Sequence, residues 1–244
     1  MNFPAPGPTG QRILLWIGVV LITIYGAAGL FLLELWPSPG PLLSDEELLE
    51  HFGHANTKFL FGVVLMLLSA GFFVSMGLTI SIQIARLEKG FPYLAIIAYI
   101  SAVTGSWVFQ GAPVFFGAAA FRVDRSPELV RLLHDLSWLW YFTPGAFFMF
   151  QAFCITLIAF IGKQDDPTTA FPRWFGWFSL IVAIEAVFPP AFIPMFKTGP
   201  IAWDGFVAYY LALVSFGIWC AVMIYLCFRA IRLQEQAAAQ AASV

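Results

Sequence analysis

Six apolar runs separated by polar connections organise the chain, at about 13–35, 59–85, 92–118, 136–162, 174–196 and 206–228. A membrane-crossing helix takes roughly 20 apolar residues, so each run is long enough to span. The pattern predicts an all-α membrane protein, a bundle of six transmembrane helices. Two connections on the same side carry amphipathic stretches. In the first, Ser44 is placed to cap a helix and Glu47, three residues on, completes a capping box. Asp45 and Glu46 suit the positive helix start, and Gly53 suits a stop. Leu48, Leu49 and Phe52 fall on one face, with Glu46, Glu47 and Glu50 opposite. In the second, Ser126 and Pro127 open a stretch whose apolar side is Leu129, Val130, Leu132 and Leu133. Both read as short interfacial helices on the outer side of the bundle. Asp204 is placed to cap the sixth span.

Composition agrees. Of 244 residues, 60% are hydrophobic and 11% charged, against about a quarter charged in globular chains. The first run has no small-residue cleavage site and reads as a retained helix. Residues 1–11, with three prolines and two glycines, read as a disordered tail. Residues 12–232 form one six-helix domain, and 233–244 a C-terminal tail that extends the last helix before fraying. Arg12, Arg86, Lys89, Lys163, Arg173, Arg229 and Arg232 lie on one side, and Lys58, Arg122, Arg125, Arg131 and Lys197 on the other. That bias puts both termini in the cytoplasm. A net charge of −2 with no basic patch gives no reason to expect nucleic acid. Cys154, Cys220 and Cys227 lie inside apolar runs without metal-type spacing and read as small buried residues.

Candidate chemistry gathers where prolines interrupt the spans. Span three has Gly111 and Pro113, span four Pro144 and Gly145, and span five Pro189, Pro190 and Pro194. Proline removes a backbone donor and displaces the carbonyl four residues back. In lipid such groups must be satisfied by neighbouring helices, side chains or a wet cavity. Polar residues sit at the same level: Glu185 near the middle of span five, Gln110, Tyr141, Thr143 and Gln151. An ionisable side chain at that depth costs upward of about 2.5 kcal/mol and is a functional candidate, although polar side chains also join helices structurally. Trp107 and Phe188 are candidates for an aromatic wall. The residues point to an outward-facing pocket between spans three to five that binds a lipophilic small molecule, with Glu185 and Gln110 as its polar floor. Membrane lipid is the surrounding partner.

His51, His54 and His134 fall together at the outer rim. Imidazoles are ligands for zinc, copper and haem, so a membrane metal or haem protein using them is the alternative reading. Against it, the spacing matches no catalytic motif, and His51 and His134 suit the negative ends of their helices. A third reading is an accessory subunit of a membrane complex or a homo-oligomer. It rests on the small residues Gly71 and Ser75, four apart in span two.

The stretches "RSPELVRLLHDLSWL" (125–139), "RWFGWFSL" (173–180) and "FKTGPIAWDGFVAYY" (196–210) resemble an uncharacterised family of bacterial six-helix integral membrane proteins. The resemblance implies the fold and a bacterial inner membrane, and no activity.

Overall fold

The computed structural model describes residues 7–53, 57–122, 124–163 and 166–243. Its helices are α1 (Pro8–Phe31), α2 (Asp45–Gly53), α3 (Thr57–Ser69), α4 (Phe72–Leu87), α5 (Tyr93–Ala120), α6 (Pro127–Phe142), α7 (Ala146–Ile161), α8 (Arg173–Glu185), α9 (Phe188–Phe192) and α10 (Ala212–Ala242). They combine into six stretches long and apolar enough to cross a membrane: Pro8–Phe31, Thr57–Leu87, Tyr93–Ala120, Pro127–Ile161, Arg173–Met195 and Phe206–Ala242. The chain is therefore a multi-pass membrane protein built as a six-helix bundle, with no strand among the described residues.

Local chemistry explains where the elements begin. Pro8 occupies the first turn of α1, where a missing N–H costs nothing, so residues 8–11 are helical rather than part of a tail. The capping box at α2 forms in full. Ser44 N donates to Glu47 Oε2 at 2.8 Å, and Glu47 N donates to Ser44 Oγ at 3.2 Å. Those bonds hold the Glu47 carboxyl below its ordinary pKa. Leu48 and Phe52 are buried, so α2 packs its apolar face onto the bundle. At the other end of the molecule, Glu88 accepts from Leu94 N at 2.8 Å and Ala95 N at 3.0 Å, capping α5.

Three local expectations change. The amphipathic stretch after Ser126 is the start of α6, which runs unbroken into the fourth span instead of forming a separate interfacial helix. Gly205, not Asp204, precedes the sixth span, and Asp204 Oδ2 faces Gly40 instead. No neighbouring helix lies within 4 Å of where a Gly71 Cβ would stand: the residue sits between α3 and α4, where span two is interrupted without a proline.

Spans two, three and four bury 44–50% of their most apolar windows, against 28% for spans one, five and six. The middle helix is α5, which packs against α3, α4, α6 and α7 through a stripe of buried small residues including Ala95, Ala98, Ala102, Gly105 and Ala112. The first and last spans meet along one side. Both described chain ends lie at one end of the bundle. There Gln83 Nε2 donates to Gln11 Oε1 and Gln234 Nε2 to Gln83 Oε1, each at 2.8 Å, and Arg12 pairs with Glu235. At the α2 end, the 32–44 segment is tied down from below. Trp203 Nε1 donates to Pro39 O at 3.0 Å, Arg131 Nη1 to Leu43 O at 2.9 Å, and the Tyr209 hydroxyl to Leu35 O.

Candidate functional site

Span three is not interrupted, because α5 continues through Pro113; spans four and five do break, and all three meet at this level. Pro113 has no N–H, so the carbonyl four residues back, Phe109 O, loses its helical donor. The Tyr25 hydroxyl, arriving from α1, donates to that oxygen at 2.9 Å. One residue earlier, Val108 O accepts from Trp140 Nε1 at 3.1 Å. The indole reaches it only because residue 111 is glycine: a Cβ there would lie inside the Trp140 ring. Span four breaks in a 3-10 turn at Thr143–Gly145, where Thr143 Oγ1 donates back to Leu139 O at 2.7 Å. Span five breaks between Glu185 and Phe188. These two interruptions touch at Gly145, whose missing side chain leaves room for the Ala186 carbonyl. That carbonyl is itself freed by Pro190.

Two neighbouring cavities with shared lining residues lie at this level. One, of about 100 Å³, is bounded by Val108, Phe142, Gly145, Phe148, Ala186 and Pro190. The larger, of about 280 Å³, is bounded by Ile22, Tyr25, Phe72, Cys220 and Ile224, with Gly26 of α1 and Gly217 of α10. Phe109, Tyr141, Leu213 and Phe216 line both. The Phe109 ring stands at the hub, with centroids 5.3 Å from Tyr25, 4.8 Å from Phe72, 6.0 Å from Tyr141 and 6.1 Å from Phe216. Gly26 and Gly217 are exposed, and no atom lies within 4 Å of where either Cβ would stand. The larger cavity thus has glycines, not side chains, on the side where the first and last spans face the bilayer. Its polar equipment is the two phenols of Tyr25 and Tyr141.

Of the residues singled out in the sequence, Tyr141 lines the cavities and Thr143 sits at the adjoining break. Trp107 and Phe188 are 67% and 58% exposed and point out of the bundle, not into a pocket wall. Gln110 is half-buried and lines neither cavity. Glu185 is half-buried at the end of α8. Its Oε1 is enclosed without a hydrogen-bond partner, and the cavity wall is formed by its neighbour Ala186. Gln151 is 0% exposed. Its backbone N donates to Ser101 Oγ at 3.1 Å, and that hydroxyl donates to Phe147 O, so a side chain from α5 is inserted into the α7 ladder. Neither atom of the Gln151 amide has a partner. An enclosed, unsatisfied amide costs about 1–3 kcal/mol. Gln151→Leu, similar in volume, is therefore expected to stabilise the protein by roughly that amount. Thermal unfolding in detergent checks this, and a loss of similar size would mean that the amide is satisfied in the membrane.

Tyr25, Phe72, Phe109 and Phe216, missed in the sequence, carry most of the cavity. Tyr25 and Phe109 had a usable signal. Pro113 marks Phe109 O as an orphan, and a phenol in the otherwise apolar first span is a natural donor.

Of the rim histidines, His51 and His134 are described, and each is packed in its own surroundings. His134 is 1% exposed, and its Nε2 accepts from Trp138 Nε1 at 2.9 Å, which leaves that nitrogen no lone pair for a metal. Its Nδ1 faces Asp135 Oδ1 at 4.0 Å. His51 packs edge-on to Phe52 and Phe59, and burial lowers its pKa against the opposing pull of Glu34. His54 lies outside the described residues. Among the described residues no group of three or more His, Cys, Asp or Glu side chains is arranged to hold a metal ion. The cysteines Cys154, Cys220 and Cys227 are buried and free. Comparison of the chain with protein-family models, with curated proteins and with solved structures finds no match, so the likeness of residues 125–210 to bacterial six-helix proteins carries no argument about activity.

Proposed function

We propose that this protein binds a lipophilic small molecule in the aromatic cavity beneath its broken spans, and that the ligand enters sideways from the bilayer between α1 and α10. The observation that carries the reading is the cavity itself. It holds about 280 Å³, is walled by aromatic and aliphatic side chains, contains one pair of hydroxyls, and is flanked by exposed glycines on two facing helices. Ligand pockets combine apolar walls with a few placed polar groups, and this one stands at the small end of their roughly 300–1,000 Å³ range. The basic-residue bias supports a bacterial inner-membrane orientation with both chain ends cytoplasmic, which puts the cavity in the outer half of the bilayer. The site is displaced from the region between spans three to five toward spans one and six, and its polar element is a phenol pair rather than a carboxylate.

Native mass spectrometry of the protein in mild detergent tests the proposal. The expected result is a co-purifying organic mass that is lost in Gly217→Leu, a change that fills the cavity mouth without a clash. An unchanged bound mass in Gly217→Leu, or no binding of any lipophile by the wild type, would overturn the reading.

A further inference from the structure

Aromatic rings make up much of the wall of the larger cavity, and the polar groups around it share one sign. Tyr25, Phe72, Phe109, Tyr141 and Phe216 all line a space of about 280 Å³. They do not lie in one flat stack. Tyr25 stands at 80° and Tyr141 at 82° to Phe109, while Phe216 is turned by 31° from it. Rings turned across one another around a common space present faces to it as well as edges, and an aromatic face carries the negative part of the ring quadrupole. The Tyr25 hydroxyl adds to that sign. Its proton goes to Phe109 O at 2.9 Å, so it can meet a further group only with lone pairs. No Lys or Arg lines this cavity or its smaller neighbour. The charge-bearing residue closest in sequence to the lining is an acid, Glu185, which adjoins Ala186 in the wall of the smaller cavity. Its Oε1 is enclosed and has no hydrogen-bond partner.

We infer that the lipophile this cavity selects is a cation, an ammonium carrying an apolar group, held by the ring faces with Glu185 as its counter-charge. The inference rests on the proposed lipophile-binding reading and adds the ligand's charge. Cation–π attraction is strongest where water is excluded, as it is inside a bundle. A quaternary ammonium spreads its charge over its methyl groups, so it gives up water more cheaply than the compact, strongly hydrated ammonium of a lysine. The acid behind the wall needs no contact to act, because Coulomb attraction in a medium of low effective dielectric reaches past neighbouring side chains. An anion of the same shape would meet ring faces, a phenol oxygen and an acid, all of the wrong sign. The gain of the cation over a neutral ligand of the same shape is roughly fivefold to thirtyfold in affinity.

The probe pair is benzyltrimethylammonium and neopentylbenzene, which share a shape and differ in a cationic nitrogen for a carbon. Binding of each is measured by equilibrium dialysis of the purified full chain, with matched micelles on both sides, for the wild type, Phe216→Leu, Glu185→Gln and Gly217→Leu. The expected result is that the wild type prefers the ammonium by roughly fivefold to thirtyfold. Phe216→Leu and Glu185→Gln should each cut that preference roughly threefold or more. Neopentylbenzene should bind Glu185→Gln as it binds the wild type, which a general loss of folding would not allow. Gly217→Leu should weaken both probes. Equal binding of the two probes by the wild type, or tighter binding of neopentylbenzene, with Gly217→Leu weakening both, would overturn the cation inference while leaving the cavity reading intact. An ammonium preference that survives Phe216→Leu or Glu185→Gln would also overturn it, since the cation would then be held by other groups, such as the acidic face of α2. Binding of neither probe would overturn the inference together with the cavity reading.

Discussion

Gly145→Ala should destabilise the bundle by about 3 kcal/mol, the upper end of what forcing an extra carbon into a packed interior costs. Intrinsic preference argues the other way. Gly145 has φ −51° and ψ −23°, a conformation any residue adopts, and in a helix alanine is favoured over glycine by roughly 0.5–1 kcal/mol. The sign is decided by what the methyl meets. That is the Ala186 carbonyl oxygen, with the Ala186 carbonyl carbon at 3.3 Å and Val187 Cα at 3.9 Å. All three are backbone atoms, so no rotamer change relieves the contact. The two interrupted spans would have to separate where they touch, opening the smaller cavity beside Gly145 and Ala186. Reversible unfolding in mixed micelles, wild type against variant, measures the effect. A neutral or stabilising Gly145→Ala would mean that the two interruptions do not touch.

The second large effect is conditional on its background. Tyr25→Phe removes the donor to Phe109 O and leaves a carbonyl unpaired inside the bundle, at a cost of about 1–3 kcal/mol. Pro113→Ala returns the backbone N–H that the proline deleted, so Phe109 O regains a helical partner and the phenol becomes dispensable. Tyr25→Phe should thus cost markedly less in the Pro113→Ala background, with a coupling of about 1 kcal/mol or more in the double-mutant cycle. Measured hydrogen bonds between membrane helices average about 0.6 kcal/mol because disrupted states find other partners. A coupling clearly above that value would mark Tyr25 as the specific answer to Pro113, and additive costs would refute the pairing.

The six spans were legible because apolar run length is a direct physical requirement of the bilayer, and the capping box at Ser44 was legible because both of its bonds are local. The interruptions at Pro144 and Pro189 were legible for the same reason, whereas α5 runs through Pro113 without a break. The breaks at Gly71 and over Phe206–Leu211, a stretch of π-helix, carry no proline and were not. What the residues did not announce is which faces look inward. In a soluble helix the apolar side is the buried one, but here Trp107 and Phe116 are equally apolar, and one is 67% exposed while the other is 0%. Lipid and core present the same chemistry, so the sorting signal is size. The small residues from Ala95 to Ala112 mark the packed side of α5, and Trp107 lies off that stripe. Glu185 drew attention as an ionisable group, yet its place relative to the cavity depends on how α8 ends, a tertiary matter. Tyr25 sits in the first span and Phe216 in the last, and no local pattern tells that these two share a wall.

That shared wall has a consequence for how the protein is made. The larger cavity is closed on one side by α1 and on the other by α10, and of these two α1 leaves the ribosome first. Domains assemble from the N-terminus during synthesis, so α1, α4 and α5 can pack before the remaining wall exists. Until α10 arrives, Phe72, Phe109 and the Tyr25 phenol look out on whatever the membrane or the insertion machinery offers. The glutamine chain from Gln11 through Gln83 to Gln234 closes only at that final step. A nascent chain stalled before α10 would leave Phe72, Phe109 and Tyr25 without that wall, an aromatic face open to the surrounding membrane.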